Sequence, residues 1–142
     1  MAVAGWQLWA FLAAVFAAAT AIFAKVATDA IDPDLATLIR TAVVLVVLAA
    51  LLAVGGKLNG LSAVTPKAAI FLVLSGLATG ASWVCYFRAL KLGDASRVAP
   101  VDKLSVVLVA VFAAVFLGER LTAGGWAGVA LIAAGAILVA RS

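Results

Sequence analysis

The stretch Arg97-Val-Ala-Pro-Val-Asp-Lys-Leu-Ser105, the apolar run after it to Leu117, and the closing Gly118-Glu-Arg-Leu-Thr122 decide the fold. Between Leu104 and Leu117 no residue is charged, and the only hydroxyl is Ser105. Pro100 suits the first turn of a helix, where its missing N–H costs little. Gly118 offers a helix stop, with Glu119 and Arg120 just beyond it. An α-helix from Pro100 to Leu117 rises about 27 Å, close to the hydrocarbon thickness of a bilayer. Asp102 and Lys103 lie about a turn inside its starting end. An ion pair at the mouth of a membrane helix marks the place to look for function.

The composition agrees. Of 142 residues, 68% are hydrophobic and only 11% are charged, and the mean hydropathy is +1.29. A soluble domain carries about 45–50% apolar and about 25% charged residues, so this is an integral membrane protein. The net charge of +4 reflects basic residues at helix ends near lipid headgroups. No basic run alternates with aromatics, which argues against nucleic acid. The lone Cys85 excludes an internal disulfide and reads as inert core. With no histidine, a zinc site is not expected either. No nucleophile–base pair and no Gly-rich phosphate loop can be found, so neither an enzyme nor an ATP-driven pump is expected, and no cofactor is implied.

Five spans fit the hydropathy, at about 6–24, 35–54, 67–90, 97–117 and 124–140, in a single domain over 1–142. The flank Met1–Gly5 has no Lys or Arg, unlike a signal peptide, and Trp6 and Trp9 read as an interfacial anchor of a retained helix. Residues 26–34 read as a connection ending in Asp32-Pro33, an N-cap followed by Pro at the first helical position. Gly55-Gly56 ends the second span, and Lys91-Leu92-Gly93-Asp94 makes a tight stop after the third. Gly76 with Gly80, and Gly124 with Gly128, form small-residue pairs at i,i+4 that admit a close helix neighbour.

Leu117-Gly118-Glu119-Arg120-Leu121-Thr122, followed by Trp126, Gly128, Leu131-Ile132 and Gly135, resembles the "LGE-x-L-T…W-x-G…LI…G" pattern of EamA-type domains in the drug/metabolite transporter superfamily. Tyr86-Phe87-Arg88-Ala89-Leu90, Pro100 and Arg40 support the resemblance, which covers essentially the whole chain. It implies one half of a ten-helix machine: most such transporters hold two of these units as inverted repeats, with substrate bound between them. The expected architecture is therefore all-α, five transmembrane helices per chain, pairing as an inverted, antiparallel homodimer in a bacterial or archaeal inner membrane.

Lys25, Arg40, Arg88, Asp102 and Lys103 project to one end of the five-helix unit when rise is counted along each span. Long basic side chains at helix ends also snorkel to headgroups with no further role. Asp102 is too short for that, and pairs with Lys103, Lys25 or Arg40, or lies in a wet cavity. Ser105 extends a polar strip from Asp102 at i,i+3. Trp83 and Tyr86 share a face, as core or as a wall for substrate. In an inverted pair such a cluster sits near each mouth of a shared cavity and gates it. Cations outnumber carboxylates, favouring a small anionic or zwitterionic, amino-acid-like solute. The first span has no acidic residue for a lipophilic cation. Two other readings stay open: a flippase subunit for a phosphate-bearing lipid with a different half-size partner, and a non-transporting membrane scaffold.

With the interior candidates set aside, Lys91, Arg97 and Arg141 on one side of the membrane balance Lys57, Lys67 and Arg120 on the other. So weak a bias suits a chain that inserts both ways up. C-terminal fusions to a reporter active only in the cytoplasm, and to one active only outside, should both give signal. Signal from one alone would point to a separate partner.

Overall fold

The computed structural model describes residues 5–142, so the flank 1–4 and its missing positive charge lie outside the described residues. The structure is all-helical: α1 is Gly5–Ala30, α2 Pro33–Val54, α3 Pro66–Leu92, α4 Ala95–Asp102, α5 Leu104–Phe112 and α6 Ala123–Arg141. A 3₁₀ turn, Lys57–Ala63, lies between α2 and α3, and a π turn, Ala113–Leu117, follows α5. Five helical segments are long and apolar enough to cross a membrane, with Ala95–Leu117 serving as the fourth.

Backbone chemistry, not charge, sets the helix ends. The first helix runs through Lys25 to Ala30, although residues 26–34 read as a connection. Nothing in Val26-Ala-Thr-Asp-Ala30 breaks a helix, and Lys25 and Asp29 form an i,i+4 pair at 2.8 Å that supports it. The break comes at Asp32-Pro33, where Asp32 Oδ1 accepts from the N–H groups of Asp34 and Leu35 at 2.9 and 3.1 Å. Thr65-Pro66 repeats the device, Thr65 Oγ1 accepting from Ala68 N–H at 3.2 Å. Gly56 leaves α2 with φ +63°. Thr122 caps α6, its Oγ1 accepting from Gly125 N–H at 3.1 Å.

The fourth span departs most from expectation. It starts at Ala95, so Pro100 lies inside α4 and not in the first turn. Pro100 has no N–H to give the carbonyl four residues back. Three residues later the ladder tightens: Lys103 N–H is shared between Ala99 O (3.2 Å) and Pro100 O (3.1 Å), and Val106 N–H reaches Lys103 O at 3.0 Å. At the far end the turn widens. Gly118, at φ +68°, and Glu119 both donate to Ala113 O, the latter at 3.1 Å. The left-handed glycine stops the helix where Gly118 was read as a stop.

The chain forms two compact units: residues up to Phe23 with Leu92–Ser142, and Ala24–Lys91. In the first, α6 packs along α4 and α5, Arg97 Nη2 donates to Ala140 O at 3.3 Å, and Ala136 is buried. In the second, Ala24, Thr28, Ala36, Thr37, Phe87 and Leu90 are buried, Phe87 at 1% and Leu90 at 0% exposure. Cys85, read as core, is exposed instead. It lies about 200° round α3 from the buried Phe87.

A Cβ placed at Gly118 meets nothing within 4 Å, so Gly118→Ala tests backbone conformation alone. The change should cost about 1 kcal/mol, read as a lower unfolding midpoint in mixed micelles.

Candidate functional site

The last three turns of α3 gather most of the candidate residues of their unit. Arg88 grips Asp34 of α2 with two parallel hydrogen bonds, Nε to Oδ1 at 2.9 Å and Nη2 to Oδ2 at 2.6 Å. This fork geometry is specific to arginine and carboxylate. Both partners are about half exposed, at 59% and 49%.

Lys25 and Lys91 make a reciprocal exchange between two helix ends. Lys25 Nζ, on α1, donates to Leu90 O in the last turn of α3 at 2.9 Å, and to Asp29 Oδ1 at 2.8 Å. Lys91 Nζ, on α3, donates to Asp29 O in the last turn of α1 at 3.3 Å. Each lysine thus meets a carbonyl that the partner helix cannot satisfy itself, at the negative end of that helix's dipole.

Arg40 is placed differently. Its guanidinium carbon stands 4.0 Å from the centroid of Trp83 and 5.5 Å from that of Phe87. Trp83 and Phe87 are i,i+4 on α3 and present their rings together. Tyr86 is half-buried and meets Phe87 edge to face, with ring centroids 6.4 Å apart. Thr28, Thr37 and Thr41 donate to their own helices, to Lys25 O, Pro33 O and Thr37 O at 3.1, 2.8 and 2.7 Å. These hydroxyls therefore bring no unmet polar group into the spans.

Asp102, Lys103 and Ser105 belong to the other unit. Of the partners weighed for Asp102, the structure records its neighbour Lys103, with Nζ 3.4 Å from Oδ2. The helix is interrupted at Lys103, so no continuous α-helical face joins Asp102 to Ser105, which is exposed beyond the break. A Cβ at Gly76, Gly80 or Gly128 meets nothing within 4 Å, and one at Gly124 meets only Thr122 Oγ1 at 3.9 Å. No neighbouring helix uses these glycines among the described residues.

Sequence reasoning missed Asp34 and Asp29. Both read as loop residues; Asp34 pairs with an arginine 54 residues away, and the Asp29 backbone carbonyl meets a lysine 62 residues away while its carboxylate holds Lys25 at i,i+4. The available signal was Asp34 in the first turn of a helix, where a carboxylate is favoured; its cross-helix partner had no signature.

A model of the EamA-like transporter family matches residues 4–141. The chain belongs to the EamA-like transporter family. It is also similar to a protein of Sinorhizobium sp named "Uncharacterized transporter in cobO 3'region", at 60% identity over 135 residues, 95% of this chain and 96% of that one. No solved structure matches it. With five apolar spans, this EamA-like chain is a multi-pass membrane protein and, at the level of its family, a membrane transporter.

The geometry of this transporter ranks its ion pairs. Lys25 is one-quarter exposed and holds two acceptors, whereas Lys103 is more than half exposed in a long contact. Lys25→Met should cost about 1–2 kcal/mol, and Lys103→Met about 0.5 kcal/mol or less. Unfolding midpoints of the two variants in mixed micelles check the ranking.

Proposed function

We propose that this EamA-like transporter moves a small anionic or zwitterionic, amino-acid-like metabolite across a bacterial or archaeal cell membrane. It works by alternating access through a passage shared by two inverted copies of the chain.

The Asp34–Arg88 fork carries the proposal. It ties α2 to α3 from the first turn of one to the last turns of the other. Both partners lie near helix ends, within reach of headgroup water, so the tie can open without stranding an ion in hydrocarbon. Such a cross-helix pair suits the gating role that the sequence reading gives to Asp102 and its partner.

Two further observations support separate copies. The Sinorhizobium relative is matched over 96% of its own length by this five-span unit. The glycines of α3 and Gly128 of α6 are open to approach, and small residues at such positions are what a second helix needs in lipid.

Uptake of radiolabelled amino acids and carboxylates into proteoliposomes tests the proposal. Asp34→Arg and Arg88→Asp should each lower uptake, and the combined exchange should restore part of it. Uptake indifferent to both single changes removes the gate. Movement of a phosphate-bearing lipid with no solute uptake replaces this reading with lipid translocation.

A further inference from the structure

Arg40 is the one cation of the α1-end, α2 and α3 cluster against which no carboxylate or carbonyl of the described residues is recorded. Lys25 has Asp29 and Leu90 O, Arg88 has Asp34, and Lys91 has Asp29 O. Arg40 stands on the rings of Trp83 and Phe87, with the Tyr86 phenol close enough to act on it electrostatically. It lies about 10 Å along α2 from Pro33, too far in to count as a helix-end residue.

A guanidinium stays charged under all ordinary conditions. A ring face attracts that charge but takes up none of its five N–H donors in the manner of a lone pair. Arg40 is therefore fixed in position with most of its five donors free of any carboxylate or carbonyl. We propose that Arg40, seated on Trp83 and Phe87, receives the carboxylate of the transported solute. This rests on the transport reading above and narrows its substrate class.

Charge balance selects the ligand. Lys25, Arg40, Arg88 and Lys91 stand against Asp29, Asp32 and Asp34, which leaves one net positive charge for one negative charge. A monocarboxylate fits both that balance and the fork of a guanidinium. A phosphate dianion brings one charge too many. A zwitterion's ammonium would have to draw Asp29, Asp32 or Asp34 from an existing partner. Trp83 and Phe87 supply an apolar wall, so the fitting solute carries an apolar body behind its carboxylate. Benzoate is the simplest probe of that kind, with acetate as the version lacking the body.

The chain has four tryptophans, Trp6, Trp9, Trp83 and Trp126. Replacing all but Trp83 with phenylalanine gives a reporter in direct contact with Arg40. In lipid nanodiscs, benzoate should change Trp83 fluorescence saturably, acetate more weakly, and inorganic phosphate and tetramethylammonium not at all. Arg40→Gln should weaken benzoate binding about tenfold or more, with Arg40→Lys between the two. No saturable response to benzoate in the protein that keeps Arg40 would overturn the inference, even if Arg40→Gln does not stay folded. So would an equal response in a monodisperse Arg40→Gln, or a response to tetramethylammonium alone. Parallel uptake in proteoliposomes separates the two proposals. Arg40-dependent benzoate binding without uptake of any solute sustains the site and removes the transport reading. Uptake unaffected by Arg40→Gln, with Trp83 silent, does the reverse.

Discussion

Hydrocarbon offers nothing to hydrogen-bond with, so a charge or a helix-end carbonyl inside the spans must be met by another part of the protein. In the unit 24–91 that demand converges on the last three turns of α3. Leu90 O and Lys91 exchange bonds with the end of α1, Arg88 holds the start of α2, and Trp83 with Phe87 carries Arg40. The lysine exchange serves three needs together. It fills two orphan carbonyls, sets two cations against the negative ends of two helix dipoles, and fixes the two ends relative to each other. Removing either lysine would leave a carbonyl without a donor as well as a missing charge, which is why these contacts outweigh an exposed ion pair.

Around this polar fastening the packed interior is small. Ala24, Thr28, Ala36, Thr37, Phe87 and Leu90 are the buried residues of the unit, and four of those six side chains are alanine or threonine. Small side chains let backbones come close, and in lipid close approach replaces the hydrophobic effect as the source of helix association. The threonines fit such places because each hydroxyl returns to a carbonyl of its own helix. By contrast, residues 45–54 of α2 and 66–82 of α3 are exposed throughout. Apolar side chains need no cover when their solvent is a lipid tail, so this exposure agrees with a membrane protein where it would condemn a soluble one.

Much of this was legible in the residues. Hydropathy locates the five spans, Asp32-Pro33 marks a helix start, and Gly118 marks a stop, because each depends on local chemistry that spacing displays. The pattern from Leu117 to Gly135 points to the family for the same reason. Long-range pairing was not legible. Lys25, Arg40 and Arg88 stand out as charges in apolar helices, but Asp34 and Asp29 look like loop residues until α1 is seen to run on to Ala30. A charge such as Lys25 does not end a helix; a helix ends where an N–H, a carbonyl or a φ angle can no longer be accommodated. Pro100 shows the same limit from the other side. Its place inside α4 follows from where the helix begins, which no property of the proline reveals.

The irregular fourth span brings the charged and uncharged parts of this problem together. A proline and a π turn remove regular ladder bonds from a segment long enough to cross the membrane. Yet the shared Lys103 N–H and the doubled donation to Ala113 O supply replacements. Buried hydroxyls are answered by their own helices, and helix-end carbonyls by lysines. The buried hydroxyls of the unit 24–91, and its Lys25, Arg88 and Lys91 charges, are thus met by an acceptor belonging to the chain itself. Against that standard Arg40 is the anomaly. Trp83 and Phe87 compensate its charge where the other cations have a carboxylate or a carbonyl, and this difference is what carries the proposed anion site. A cation already satisfied by its own protein has little to offer a solute, which is why the proposal falls on Arg40 and not on Lys25, Arg88 or Lys91.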